Sequence, residues 1–244
     1  VQDTVRPQAS VMPKNATWLR SRALAFAPDQ NQVTLEEGVV SYDYLIVSPG
    51  IQINWNGIPG LAETINKNNV CSNYSFETAP YTYECLRNFK GGNAVFHNPT
   101  TPVKCGGAPH KVMYLSADYW RKHGILDKTR VQYWSGGTRI FGVEKYEKTL
   151  LKVVKRYHID LHFRVEMTSI DGPNRKAWFK GIGPENKDQV SEVSFDMIHV
   201  TPPQSAPDFV RNSPLANSAG WVDVNKETLQ HVRYSNIFSL GDAA

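Results

Sequence analysis

The sequence predicts a three-layer α/β fold of the dinucleotide-binding type, and three observations carry that expectation. From Asn93 onward strands and helices alternate and then give way to a run of strands. Tyr44-Leu45-Ile46-Val47 is nearly continuously apolar, the pattern of a central strand covered on both faces, and it ends at the breaker Ser48-Pro49-Gly50. Near the other end, Ile237-Phe238-Ser239-Leu240 repeats the device, a hydrophobic strand followed by the tight turn Gly241-Asp242. Both apolar strands read as parts of one flanking domain, with the alternating unit inserted between them.

The elements follow in order. "ATWLRSRALAFAP" and "NQVTLEEG" read as two or three strands with a turn at 28–31, then comes the apolar strand at 44–47. Residues 51–75 are loop-rich, broken by Pro59-Gly60, and 76–90 hold a helix leading into Gly91-Gly92. A buried strand over 94–96 leads into the turn "TPVKCGG", and a helix runs over 109–123 to Gly124. A strand over 130–136 follows. The spacing of Leu150, Leu151, Val153 and Val154 predicts an amphipathic helix over 146–158. "IDLHFRVEMTSID", "KAWFKGI" and "SFDMIHV" read as strands, the last ended by Pro202-Pro203.

Composition narrows the function classes. The chain has 244 residues, 41% hydrophobic and 20% charged, enough for one large or two medium domains. Its net charge of +4 (27 − 23) is spread without a long basic run, so nucleic acid is not expected as a partner. No apolar run approaches the roughly 20 residues of a membrane-spanning helix. The start at Val1 and the stop after "FSLGDAA" suggest cuts through a longer protein. Cys71, Cys85 and Cys105 make neither a disulfide framework nor, with the seven histidines, a zinc-ligand spacing, so no metal is expected.

Chemistry concentrates at Cys105. A strand, a glycine-bearing turn and a helix start normally cradle a pyrophosphate, but here G-x-G-x-x-G is absent and a thiol occupies the turn. Lys104 and Lys111 lie close in sequence, Gly106-Gly107 leaves the backbone bare, and Pro109 suits the first helical position. Uncapped N–H groups and the positive end of a helix favour a sulfur anion, thiolate or persulfide. Binding of NAD(P)H is not expected there. The histidines are scattered and read as surface or hydrogen-bonded residues, with His110 alone beside the turn.

These segments resemble a known family. "YDYLIVSPGIQ" resembles the second flavin-contacting strand of two-dinucleotide-domain flavoproteins, and "YSNIFSLGDAA" resembles their Gly-Asp flavin motif. "TPVKCGGAPHKVMYLSADYWRK", with "HVTPPQSAPDFV" and "GWVDVNKETLQH", is similar to sulfide:quinone oxidoreductase of the mitochondrial kind, and the likeness covers nearly the whole chain. The resemblance implies a two-dinucleotide-binding-domain flavoprotein fold, three-layer α/β and incomplete at both ends. Residues 1–90 would be part of an FAD-binding domain, 91–205 a second dinucleotide-type domain carrying the redox cysteine, and 206–244 the return to the first.

It further implies FAD as cofactor, with Asp242 on the ribityl hydroxyls, Gly241, Gly50 and Pro49 at the strand ends close to the flavin, and Ala23 meeting the adenine through its main chain. Cys105 would be a catalytic cysteine, favoured as the persulfide carrier, its redox partner lying beyond Ala244. Lys111 and Pro202 are candidates for contacting substrate or sulfur acceptor. The implied partners are hydrogen sulfide, a quinone, an acceptor such as glutathione, sulfite or coenzyme A, and a membrane surface reached through a C-terminal part not in this chain. The implied place is the matrix side of the mitochondrial inner membrane, or a bacterial membrane. Two rivals stay open: an NADH:quinone oxidoreductase-like flavoprotein, and an inactive truncated flavoprotein acting as a binding module.

Overall fold

The computed structural model describes residues 2–244. Along the chain its elements are α1 (Gln8–Val11), β1 (Ala23–Ala27), β2 (Gln32–Leu35), β3 (Gly38–Ser41), β4 (Leu45–Val47), β5 (Gln52–Ile53), α2 (Leu61–Thr64), β6 (Val70–Cys71), α3 (Ala79–Asn88), β7 (Gly92–Asn98), α4 (Ala108–Lys122), β8 (Thr129–Ser135), α5 (Glu144–Arg156), β9 (Asp160–Phe163), β10 (Val165–Asp171), β11 (Lys176–Gly181), β12 (Val190–Ser194), β13 (Met197–Val200), β14 (Gln204–Ser205), α6 (Asp208–Arg211) and β15 (Ile237–Ser239). They fall into two units, residues 54–203 and residues 2–53 with 204–244.

The first unit is built on a five-stranded sheet of order β6-β13-β7-β8-β9, in which every pairing is parallel. Parallel strands need both faces covered, and alternation along β7 shows how that is met. Ala94 and Phe96 enter a core with Cys85 and Phe89 around α3, Met113 and Trp120 of α4, and Val154 of α5. Val95 enters the opposite core, with Met167, Phe179 and Val193 of the antiparallel meander β10-β11-β12. The result is three layers: helices, sheet, meander. Trp120 is wholly buried and still satisfies its indole N–H, which donates to the Leu86 carbonyl at 3.0 Å. A buried aromatic of this size contributes about 1.5–3 kcal/mol from area alone.

This unit begins well before the sequence-based boundary at 90/91. Residues 54–90 belong with it because β6 pairs with β13 and α3 supplies core side chains. The Pro59-Gly60 breaker is also docked here: Ile170 N–H donates to the Pro59 carbonyl at 2.9 Å. Gly60 sits at φ +84, where an added Cβ would lie 1.9 Å from the Ile170 oxygen. Only glycine meets both demands.

The second unit contains the antiparallel sheet β1-β2-β3, the antiparallel pair β5-β14 and the parallel pair β4-β15. Its core joins Val47, Ala206, Val210, Leu215, Val222 and Ile237. The expected turn between β1 and β2 is a short 3-10 helix over Pro28–Gln30, closed by Asn31 in the left-handed region. The expectation that the apolar strand at 44–47 is covered on both faces is not met among the described residues. β4 pairs with β15 alone. Leu45 and Val47 face the core, while Ile46 is 65% and Tyr44 76% exposed.

Candidate functional site

In the 54–203 unit, the turn after β7 carries Cys105 at the carboxyl end of the parallel sheet and at the start of α4. Cys105 is exposed and is a free thiol. Its backbone sits at φ +57, the left-handed region that L-residues enter at a cost, whereas Gly106 and Gly107 have ordinary φ. The glycines serve by leaving space: an added Cβ on Gly106 would meet nothing within 4 Å, and one on Gly107 only Lys111 Cε at 3.9 Å. The Cys105 carbonyl accepts from Ala108 N–H at 2.8 Å, tying the turn to the helix. Ala108, rather than Pro109, is the first helical residue; Pro109 follows it, where a missing N–H still costs nothing. No side chain caps this helix.

Lys111, one turn into α4, places Nζ 3.8 Å from Cys105 Sγ. Cys105 also lines a small cavity of about 130 Å3 with Asn73, Tyr74, Lys104 and Ala108. The Tyr74 phenol is pushed up to about 12, chiefly by burial, so it remains a protonated donor. Asn73 is held from behind, its N–H donating to His199 Nε2 at 3.1 Å. Neither Asn73, Tyr74 nor His199 was singled out by sequence. Asn73 and Tyr74 follow the short strand β6, whose two residues give no periodicity to read, and His199 lies on β13, paired with Cys71 of β6.

The segment joining β7 to Cys105 lies across the end of β8. Gly136 N–H donates to the Asn98 carbonyl at 2.9 Å. A Cβ added at Gly136 would stand 2.5 Å from Thr100 Cγ2 and 2.7 Å from Thr100 N. In a dinucleotide domain the ends of the first two strands hold the nucleotide. Here Thr100 packs on Gly136 at that place. Cys71 and Cys85 are buried in the helix-side core, and neither lines the Cys105 cavity.

His97 departs from the expectation of a surface or hydrogen-bonded role, while His199 meets it through its contacts with Asn73. Both are wholly buried, and neither ring nitrogen of His97 has a partner at hydrogen-bond distance. Burial pushes both imidazoles down to about 3. Pro202 is buried just after β13, and its neighbour Pro203 accepts from Asn54 N–H at 2.9 Å.

The other predicted residues lie in the second unit. β4 and β15 run parallel in the register Leu45↔Ile237, Ile46↔Phe238, Val47↔Ser239, so the turns carrying Pro49-Gly50 and Gly241-Asp242 leave side by side. Two side chains fasten them: Ser239 Oγ donates to the Val47 carbonyl at 2.6 Å and Ser48 Oγ to that of Leu240 at 2.9 Å. Gly50 and Gly241 are at φ +77 and +82, and no atom stands within 4 Å of a Cβ built on Gly50. Two bare, exposed turns at parallel strand ends, one bearing a carboxylate, suit a hydroxyl-rich cofactor chain such as that of FAD. Ala23 opens β1 opposite Leu35, next to an irregularity in the pairing. Among the described residues, no cluster of three or more metal-ligating side chains occurs and no helix is long and apolar enough to cross a membrane.

Comparison with known proteins gives these features a relative. No family model matches the chain. Over 246 residues it is 42% identical to the mitochondrial sulfide:quinone oxidoreductase of Dictyostelium discoideum, a match covering 100% of this chain and 53% of that protein. It is 40% identical over 240 residues to the mouse (Mus musculus) enzyme of the same name, covering 98% and 53%. The chain thus spans about half the length of the curated relatives it matches. The sulfide:quinone oxidoreductase structure from Aquifex aeolicus aligns with TM-score 0.77 at 20% identity, covering 93% of this chain and 52% of that one. The NDH2 structure from Plasmodium falciparum aligns at 0.65 and 15%, covering 92% and 49%. The chain has the two-dinucleotide-binding-domain flavoprotein fold and is homologous along its whole length to the mitochondrial sulfide:quinone oxidoreductases.

Proposed function

We propose that this chain carries the sulfur-handling part of an FAD-dependent sulfide:quinone oxidoreductase. Hydrogen sulfide is oxidised to sulfane sulfur bound as a persulfide on Cys105, and its two electrons pass to a quinone. The observation that supports this most is the Cys105 turn, an exposed thiol in strained backbone at an uncapped helix start, where a dinucleotide fold would keep its glycines. Lys111 Nζ, 3.8 Å from the sulfur, offsets the charge of a thiolate or persulfide. Tyr74, which burial keeps protonated, forms part of the wall of the same cavity. Ala23, Pro49, Gly50, Gly241 and Asp242 would hold FAD, which when bound supplies the two-electron transfer between sulfur and quinone. By homology the protein acts in mitochondria, and the reading extends to the matrix side of the inner membrane.

The NADH:quinone reading is less well supported, because Thr100 packs on Gly136 at the strand ends where NADH would lie. The test has two parts. Polysulfide treatment followed by peptide mass mapping should add sulfur at Cys105 and not at Cys71 or Cys85. An FAD-loaded preparation should reduce quinone with sulfide, and Cys105→Ser should abolish this. Quinone reduction by the serine variant would refute the assignment.

A further inference from the structure

A second cavity opens on the other side of the first turn of α4. Its volume is about 410 Å3, within the range of small-molecule sites. Tyr114, Phe141, Tyr146 and Leu150 give it apolar walls. One polar group in its lining lacks a partner, the buried Tyr114 hydroxyl. His110, 6% exposed, keeps Nε2 3.0 Å from the Tyr133 hydroxyl, with the Gly106 and Ile140 carbonyls beside its ring. A buried polar atom without a partner in an apolar pocket marks where a ligand's polar atom would sit. The lining also includes Lys111, the residue whose ammonium is 3.8 Å from Cys105 Sγ. One lysine therefore borders both the cavity and the reactive sulfur.

We propose that this cavity receives the arm of the thiol that accepts sulfur from Cys105, and that this acceptor carries a largely apolar chain with a hydrogen-bonding atom rather than being a small inorganic anion. The inference rests on the reading of Cys105 as persulfide carrier. In the transfer, the acceptor thiolate attacks the outer sulfur of the Cys105 persulfide. A new sulfur–sulfur bond forms, the bond to Cys105 Sγ breaks, and its electron pair leaves Cys105 as thiolate beside Lys111. The proton on the outer sulfur travels with it, and no external oxidant is consumed. The apolar wall selects for the chain, and Lys111 holds the attacking anion at the sulfur. A small anion such as sulfite gains nothing from the wall.

The experiment separates the cavity from the sulfur chemistry. Calorimetry with octanoate, which has no thiol, reads the cavity alone. Binding is expected in the 244-residue chain and is lost in Thr149→Trp, a plug placed at an exposed lining position. Tyr146→Ala, which removes part of the wall, weakens it. Next, the chain loaded with sulfane sulfur is mixed with mercaptooctanoate or mercaptoacetate, and the loss of sulfur from Cys105 is followed by mass spectrometry. The long thiol should react about tenfold faster or more, since its extra methylenes are buried. Octanoate should slow it, and Thr149→Trp should make the two thiols equal. Equal rates in the unsubstituted chain, or octanoate that binds without slowing transfer, overturn the proposal. A Cys105 that takes up no sulfur while octanoate still binds overturns the persulfide reading itself, and the acceptor role with it.

Discussion

The backbone N–H of Asn73 donates to Nε2 of His199 at 3.1 Å, so a wholly buried imidazole holds the loop that walls the Cys105 cavity. Asn73 Oδ1 also lies 2.9 Å from the same nitrogen. His97, on the neighbouring strand β7, is equally buried.

Acid should therefore unfold the 54–203 unit early. Burial holds both imidazoles at about 3, below the roughly 6.5 of an unfolded histidine. Between these values the unfolded chain binds more protons, so stability rises with pH. Their contribution is complete above pH ~6.5 and is lost as pH falls through the window toward 3, by up to ~1.4 kcal/mol per pH unit for each ring. Urea unfolding between pH 7 and pH 4.5 should show this slope, and His97→Leu should reduce it. An unchanged slope would mean that His97 does not titrate on unfolding.

Cys105 should be alkylated by iodoacetamide long before Cys71 and Cys85, which are 0% and 6% exposed. Lys111→Gln should slow the Cys105 reaction about two- to fivefold, as expected for removing one nearby exposed cation, and added salt should shrink the difference. Peptide-resolved alkylation rates check this. If Lys111→Gln leaves the rate unchanged at low salt, the lysine does not act on the sulfur.

Gly136→Ala should destabilise the protein by about 1–3 kcal/mol, the usual cost of overpacking. The added Cβ would meet Thr100 at 2.5–2.9 Å, including backbone atoms. The strand–turn segment carrying Cys105 must then shift. A slowed Cys105 alkylation in the still-folded variant, alongside a lower Tm, is the expected signature.

How much of this could be read beforehand follows from where the information lies. The long elements were legible because period and burial agree: β7 alternates between two cores, and α5 carries Leu150, Val153 and Val154 on one side. The boundary at 53/54 was not, because β6 has only two residues and the Gly60 approach to Ile170 is a tertiary fact. The Cys105 turn was legible as a departure from a known spacing. Its left-handed backbone at Cys105 was not, since nothing in "KCGG" says which residue bends. Buried His97 could not be told from a surface histidine. The polar residue falls on the inward beat of a strand whose both faces are inward, and alternation then carries no sign. Ile46 is exposed among the described residues, where β4 has β15 as its one neighbour.

The turns assigned to FAD depend on two serines, and one of them offers a clean test. Ser239 is fully buried and donates Oγ to the Val47 carbonyl at 2.6 Å, linking β15 to β4 one residue before Ser48-Pro49-Gly50 and two before Gly241. Ser239→Ala removes the donor and leaves the Val47 oxygen short of a partner, at a cost of about 0.5–1.5 kcal/mol or somewhat more for the buried acceptor. The fold should survive, because the parallel register and the Ile237 contacts remain. The side-by-side placing of the Gly50 and Gly241 turns should not, so FAD affinity should fall by more than the change in Tm accounts for. Flavin fluorescence quenching on titration gives the affinity, and thermal unfolding without FAD gives the stability. If Ser239→Ala lowers Tm but binds FAD as the unsubstituted chain does, the two turns do not together form the cofactor contact assigned to them.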